Sequence, residues 1–290
     1  MFVQQLINGI ALGGIYALIT IGYSMVYGVM RLMNFAHGDI YMVGTFIAYT
    51  LCVRNKMSIF VAALAGMLVG GILAALVEVL AYRRLRMENR AISMITALGA
   101  AYLIQNSEEL VWGVEVQRFP SIFATETFNM LGLNISTVQL FTLVLSVVLI
   151  VGFHLFLTYN KWGKAILCVA QDIPTTRLMG VPINRTISLV YVLGGFLGVI
   201  GGILYCSAYN VIMIAMGFAG TIQAFTAAIL GGIGNLKGAI FGSLILGVIQ
   251  SLAGGYLSTT YRDAISFLIL IGVLLIRPSG IFNKGTVEKV

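Results

Sequence analysis

Along the chain, long apolar runs alternate with short polar joints, and few of the runs carry a charge. A helix needs about 20 apolar residues to cross the hydrocarbon of a bilayer. That length predicts spans near 6–29, 40–53, 58–80, 92–112, 137–158, 187–207, 217–236, 238–256 and 263–276. The pattern is that of an all-α polytopic membrane protein with about nine spans, eight to ten by pattern, some short or discontinuous, in one transmembrane domain over residues 1–290. The opening MFVQQLING has no basic leader, and the apolar run after it is long and Gly-rich. It reads as a first span and not as a cleaved signal.

Two joints interrupt the helical pattern inside the apolar part of the chain. The stretch Arg31–Asp39, with Asn34, Phe35, His37 and Gly38, separates a full span from one of about 14 residues, roughly 21 Å long. That falls short of the roughly 30 Å core, so part of the polar turn is expected to dip into the membrane. The second stretch runs from Ala227 to Gly238, with Phe225 and Thr226 just ahead of it and Gly231, Gly232, Gly234 and Asn235 within it. Irregular backbone survives at membrane depth only where protein or a water-filled cavity satisfies its N–H and C=O groups. Short, glycine-broken segments in both halves of a transporter point to its pathway. These residues are therefore candidates for a solute pathway or gate. His37 can titrate in the physiological range and Asp39 can pair with it. The plainer alternative is that both shape a turn at the membrane boundary.

One joint is polar enough to lie outside the lipid altogether. Tyr159–Arg185 carries Lys161, Lys164, Arg177 and Arg185 against the single acid Asp172. Basic charge in a short loop beside spans marks the cytoplasmic side. Pro174 can start a short helix, because its missing N–H is not needed at the first helical position. Gly180 can end that helix with φ > 0, and Pro182 prevents it from resuming. The expectation is one short amphipathic helix, held against the membrane face within a loop at 159–186, on which a partner pushes.

Composition supports the membrane assignment: 59% of the 290 residues are hydrophobic, 9% are charged, and the mean hydropathy is +0.99. Soluble domains carry about 25% charged residues. The net charge of +7 would suggest nucleic acid in a soluble protein, but here the cations sit in inter-span loops where they set orientation. Nine spans put the N-terminus outside and the C-terminus inside. Thirteen cations then fall inside: Arg31, Arg83, Arg84, Arg86, Arg90, Lys161, Lys164, Arg177, Arg185, Lys237, Arg277, Lys284 and Lys289. Arg54, Lys56, Arg118 and Arg262 fall outside. Reading 217–236 as a re-entrant hairpin instead leaves ten against seven, a weaker bias.

The longest external segment is 113–136, with Glu115, Pro120 and Glu126, and Trp112 and Phe119 suit the membrane–water interface. Acids within a span are functional candidates, although Glu108 and Glu109 fall in a last turn where interfacial water is within reach. Gly66-Met-Leu-Val-Gly70 and Gly194-Gly195-Phe-Leu-Gly198 have the small-xxx-small spacing of close helix packing, expected within one subunit. Cys52, Cys168 and Cys206 are isolated and imply neither disulfides nor a metal site. No phosphate-binding loop, Ser-His-Asp order or HExxH is present, so catalysis by this chain is not expected. With so little charge across the bilayer, a neutral or zwitterionic solute with an apolar body suits the path.

Several stretches together resemble one family, the LivH-type inner-membrane permease subunits of branched-chain amino acid ABC importers. They are Gly28-Val-Met-Arg31-Leu-Met-Asn34-Phe35-Ala36-His37-Gly38-Asp39, then Gly163-Lys-Ala…Ala170-Gln-Asp172…Leu178-Met-Gly180-Val, then Gly217-Phe…Ala224-Phe-Thr-Ala-Ala-Ile-Leu-Gly-Gly-Ile-Gly234, and Leu275-Ile-Arg-Pro278-Ser-Gly280-Ile-Phe. The resemblance runs through nearly the whole chain in order. It implies a heteromeric importer of leucine, isoleucine or valine, in which this subunit joins a second related permease, two cytoplasmic ATPases that bind ATP and magnesium, and a periplasmic binding protein. It maps the family's ATPase-coupling helix onto Pro174, Thr175, Thr176 and Gly180. Pro174 stands at the motif's acidic position and threonines replace its alanines, while Asp172 can supply negative charge at the helix start. Related permeases for urea or short amides share much of the Asn-x-Ala-His-Gly pattern and form the nearest alternative. A stand-alone secondary transporter or channel would need an intramembrane carboxylate relay, for which only Glu78, Glu108 and Glu109 are available.

Overall fold

The computed structural model describes residues 1–85, 90–120, 127–130, 133–277 and 280–282. Arg86, Glu126, Pro278, Lys284 and Lys289, used in the sequence reading, lie outside the described residues, as does the Arg90 side chain.

The helices are α1 (Phe2–Met30), α2 (His37–Val53), α3 (Ile59–Val77, continued by one π-helical turn Glu78–Tyr82), α4 (Arg90–Trp112), α5 (Thr137–Tyr159), α6 (Lys161–Gln171), α7 (Ile173–Leu178), α8 (Ile183–Tyr209), α9 (Ala215–Gly231), α10 (Leu236–Tyr256) and α11 (Arg262–Ile276). Two small antiparallel pairings accompany them: β1 (Gln117–Arg118) with β4 (Val211–Ile212), and β2 (Thr127–Met130) with β3 (Leu133–Ser136). Helices α1–α5 and α8–α11 fall on the nine expected spans. Among the described residues, six helical stretches are long and apolar enough to cross a membrane, whereas α2 and α9 have 17 residues each.

The first span is the centre of the bundle, with 94% of its most apolar window buried. Its glycines let neighbours reach the backbone. A Cβ on Gly13 would stand 2.7 Å from Leu244 Cα of α10, and one on Gly22 would stand 2.7 Å from the Gly194 carbonyl of α8. The small-xxx-small glycines are used in the same way, inside the subunit: Gly66 of α3 faces the Gly44 carbonyl of α2, and Gly195 of α8 faces the Gly70 carbonyl.

The two ends of the bundle are distinct. One gathers the start of α1, residues 113–120 and 133–136 and the α10–α11 joint, tied by Gln4 Nε2 donating to Asn134 O (2.8 Å), Ser251 Oγ to Gln5 O (2.8 Å) and Arg262 Nη1 to Tyr209 OH (3.1 Å). The other gathers Arg31, α6, α7, the α9–α10 turn and residues 280–282. There Arg31 Nη2 donates to Ala170 O (3.3 Å) and Ile281 N to Leu230 O (2.9 Å). The chain from Tyr209 through α9 runs from the first end to the second, with its helical part confined to Ala215–Gly231.

Two expectations at the first end are corrected. Phe119 is 1% exposed. It is drawn inward because its N–H donates to Asn210 O (3.2 Å) and its ring lies 6.0 Å from Tyr49, so it is a plug and not an interfacial anchor. Glu108 is 1% exposed, so it does not reach interfacial water, and among the described residues neither carboxylate oxygen has a partner.

Candidate translocation and coupling site

The break after α1 begins at Arg31, whose left-handed φ of 55° turns the chain out of the helix while its N–H bonds Tyr27 O (2.7 Å). The chain then climbs back into the bundle, as expected. Asn34 is 1% exposed, and its Oδ1 accepts from Tyr82 OH (3.0 Å). Helix α2 starts at His37, with His37, Gly38 and Asp39 all buried. It therefore begins inside the protein and not at the boundary.

What holds the start of α2 is the start of α9. A Cβ on Gly38 would collide with the Gly217 carbonyl and the Thr221 hydroxyl, and Tyr41 OH donates to Met216 O (3.1 Å). Helix α9 also begins late: β4 and the following residues to Ile214 enter the interior without helix, with Ile212 and Ile214 buried. Two 17-residue helices, each about 25 Å long, thus start against each other within the bundle and diverge toward opposite ends.

Ring contacts connect the two halves: Phe225 to Tyr23 (6.1 Å), Tyr23 to His37 (6.0 Å), and His37 to Tyr41 (6.1 Å). Among the described residues, Tyr23 OH, Asn34 Nδ2, His37 Nε2 and Asp39 Oδ1 are buried without hydrogen-bond partners. The expected His37–Asp39 pair is not made, because helical geometry points residues two apart to different faces. Buried polar atoms are normally satisfied, so this group of orphans makes the helix break the candidate pathway site.

The sequence candidates divide accordingly. Asn34, His37, Gly38 and Phe225 meet at this junction. Thr226, fully buried on α9, bonds Ile222 O (2.8 Å). Gly231, Gly232, Gly234 and Asn235 are elsewhere, in a tight α9–α10 turn at the second end, where Gly234 is exposed. There Gly232 and Gly234 take φ of 101° and 83°, and the Asn235 side chain caps α10 by accepting from Lys237 N (3.1 Å) and Gly238 N (3.3 Å). In this turn Gly231 and Gly232 are buried while Gly234 is exposed. The interior non-helical stretch in the second half is 210–214. Its apolar composition, Val211-Ile-Met-Ile214, hides it in the sequence.

The 159–186 loop holds two helices where one was expected. Asn160 caps α6 by accepting from Trp162 N (2.9 Å), and the helix buries Gly163, Ile166 and Val169 while exposing its lysines. The Gly163–Ile166–Val169 spacing was the available signal. Asp172 then caps α7, its Oδ2 accepting from Thr175 N (2.9 Å), and Gly180 ends the turn at φ 78° as expected. Bonds from the Thr175 hydroxyl and amide hold the Asp172 carboxyl below the usual carboxylate range. Thr176 is only 4% exposed, and its Oγ1 donates to Asp172 O (2.6 Å), so it braces the helix and cannot face a partner. Thr175, Pro174 and Arg177 are exposed, and the tip presents Leu178 and Met179 at 89% and 76% exposure. These two apolar residues were missed because nothing in the pattern separates them from a buried face.

The loop is joined to the break. Besides the Arg31–Ala170 bond, Leu32, Phe35, Ala170 and Ile173 pack on one apolar cluster with Ala36, Val169, Ile183 and Tyr191. Ile173 and Phe35 are half-buried there, so each contributes less than the roughly 1.5–3 kcal/mol of a fully buried side chain. Among the described residues no group of three His, Cys, Asp or Glu is placed to hold a metal ion.

Residues 5–274 match the family model described as the permease component of the branched-chain amino acid transport system. The chain is 37% identical to the high-affinity branched-chain amino acid transport permease LivH of Salmonella typhimurium, over all of this chain and 98% of that one. It is 36% identical to LivH of Escherichia coli K12 and to BraD of Pseudomonas aeruginosa, with the same coverage. Among solved structures, PsaBC from Streptococcus pneumoniae shares the fold, with a TM-score of 0.53, 17% identity and coverage of 96% and 93% of the two chains. The multi-pass bundle, its broken helix pair and these full-length matches lead to one conclusion: the chain belongs to the family of branched-chain amino acid transport system permease components.

Proposed function

We propose that this chain is one permease subunit of an ABC importer that carries leucine, isoleucine or valine from the periplasm to the cytoplasm. Its N-terminus lies outside the bacterial inner membrane, and its coupling loop and C-terminus lie inside. It pairs with a second related permease, with two ATPases that bind ATP and magnesium, and with a periplasmic binding protein.

One observation carries the mechanism: the α6–α7 loop and the start of α2 share an apolar cluster and the Arg31–Ala170 hydrogen bond. ATPase closure pushes Leu178, Met179 and Thr175 of α7. The push passes through Ile173, Ala170 and Phe35 to the Asn34–Gly38 turn, which leans on Gly217 of α9. The junction has two discrete packings, outward-open and inward-open, and nucleotide and solute shift the balance only because they bind the two unequally. The solute choice is supported by the names of the full-length relatives.

Reconstitution tests this. Proteoliposomes with the permeases, ATPases and binding protein should accumulate leucine only when ATP is inside the compartment that holds the ATPases. ATP-independent uptake by this chain alone would overturn the proposal.

A further inference from the structure

The cavity at the first end of the bundle, opposite the coupling loop, has no part in the coupling route. It measures about 320 Å³, at the small end of ligand sites. Its floor is apolar, from Leu12, Ile15 and Val138, and its rim holds Gln139, Asn8 and Arg262. Two hydroxyls that are 1% exposed, Thr142 Oγ1 and Ser207 Oγ, line it without partners. The Arg262 guanidinium lies over Gly254, with its Nη1 bonded to Tyr209 OH (3.1 Å) and its Nε unpartnered, and no carboxylate pairs with it among the described residues.

Polar walls exclude a lipid tail, because unsatisfied hydroxyls against hydrocarbon are costly. A guanidinium without a carboxylate partner among the described residues matches a carboxylate, and the apolar floor matches a short aliphatic chain. We propose that this cavity binds a small amphiphilic carboxylate, with its carboxyl on Arg262, a polar group against Thr142 and Ser207, and its aliphatic body toward Leu12 and Ile15. Taking leucine as that molecule rests on the import reading above, and the cavity then holds solute on the outer side before the α2–α9 junction opens.

The test uses the whole transporter in nanodiscs without binding protein, carrying Cys168→Ser to remove the exposed native thiol and Ala208→Cys to place one in the cavity wall. The rate of modification by a charged methanethiosulfonate is measured with and without ligand. Protection follows mass action, so leucine at about ten times its dissociation constant should slow modification roughly tenfold. Isoamylamine, which lacks the carboxyl, should not protect. Arg262→Gln should abolish protection, and Arg262→Lys should keep part of it. Equal protection by isoamylamine overturns the role of Arg262. Absence of protection by millimolar leucine, in a preparation that still takes up leucine with binding protein and ATP, overturns the site and leaves the import reading standing. Protection without any ATP-driven uptake keeps the site and refutes the import reading.

Discussion

A Cβ on Gly38 would run into the Gly217 carbonyl and the Thr221 hydroxyl, whereas one on Gly99 of α4 would meet nothing within 4 Å. Backbone cannot yield as a side-chain tip can, so Gly38→Ala should destabilise the transporter by about 1–3 kcal/mol. Gly99→Ala should stabilise it by up to about 1 kcal/mol, because glycine in a helix interior carries excess unfolded-state entropy. The midpoint of heat-induced aggregation of the solubilised complex reads both, and equal shifts would contradict the packing. Asp172 makes a second prediction at this scale. Its carboxyl is held below the ordinary range in the fold, so the cap is fully present above the unfolded-state value and is lost as pH falls through the depressed one. Mobility of a spin label at the exposed Met179 should rise on acidification in wild type, but Asp172→Asn, a neutral acceptor, should show no such step. Gly38 was legible in the sequence as a break in a short span. Its partner Gly217 was not, because that contact joins residues far apart in the chain and leaves no local mark.

At the scale of elements, α7 was legible because capping and stop signals are local: Asp172 ahead of Pro174, then Gly180 and Pro182. Helix α6 was missed because its lysines and Gly163 read as a loop, while its buried stripe has only three members. The structure also divides the coupling residues by burial. Leu178→Asp with Met179→Asp should release the ATPase on co-purification and remove most ATP-driven uptake while the bundle stays folded. Thr176→Lys should instead lower the yield of folded permease, because its hydroxyl is turned inward onto Asp172. Retention of the ATPase by the double aspartate variant would show that the tip of α7 is not the docking element. The α9 start was hidden for the opposite reason to α6: Val211-Ile-Met-Ile214 is apolar enough to pass for span, yet it is not helical, and its first two residues form β4, which pairs with β1.

For the whole molecule, the helical, multi-pass character and the positions of the nine long helices followed from hydropathy, since the bilayer leaves few options for backbone hydrogen bonding. The centrality of α1 did not, because burial inside a membrane bundle is set by glycine-mediated contacts between distant helices and not by hydrophobicity. The proposed orientation is testable with a native thiol. Cys168 on α6 is exposed, Cys206 is buried and Cys52 is half-buried. A membrane-impermeant maleimide should therefore label Cys168 in inside-out vesicles and spare it in intact cells, and the reverse would turn the coupling loop to the wrong compartment.

Transmission from that loop to the helix junction is the claim on which the mechanism stands. It is tested by electron–electron distances in the assembled transporter, from spin labels at Met179 on the coupling tip and at Met33 ahead of α2, each paired with a label at Gly272 on α11, where nothing lies within 4 Å. Between nucleotide-free and vanadate-trapped states both distances should shift together, by about 2 Å or more. A shift at Met179 with the Met33 distance unchanged would contradict the account.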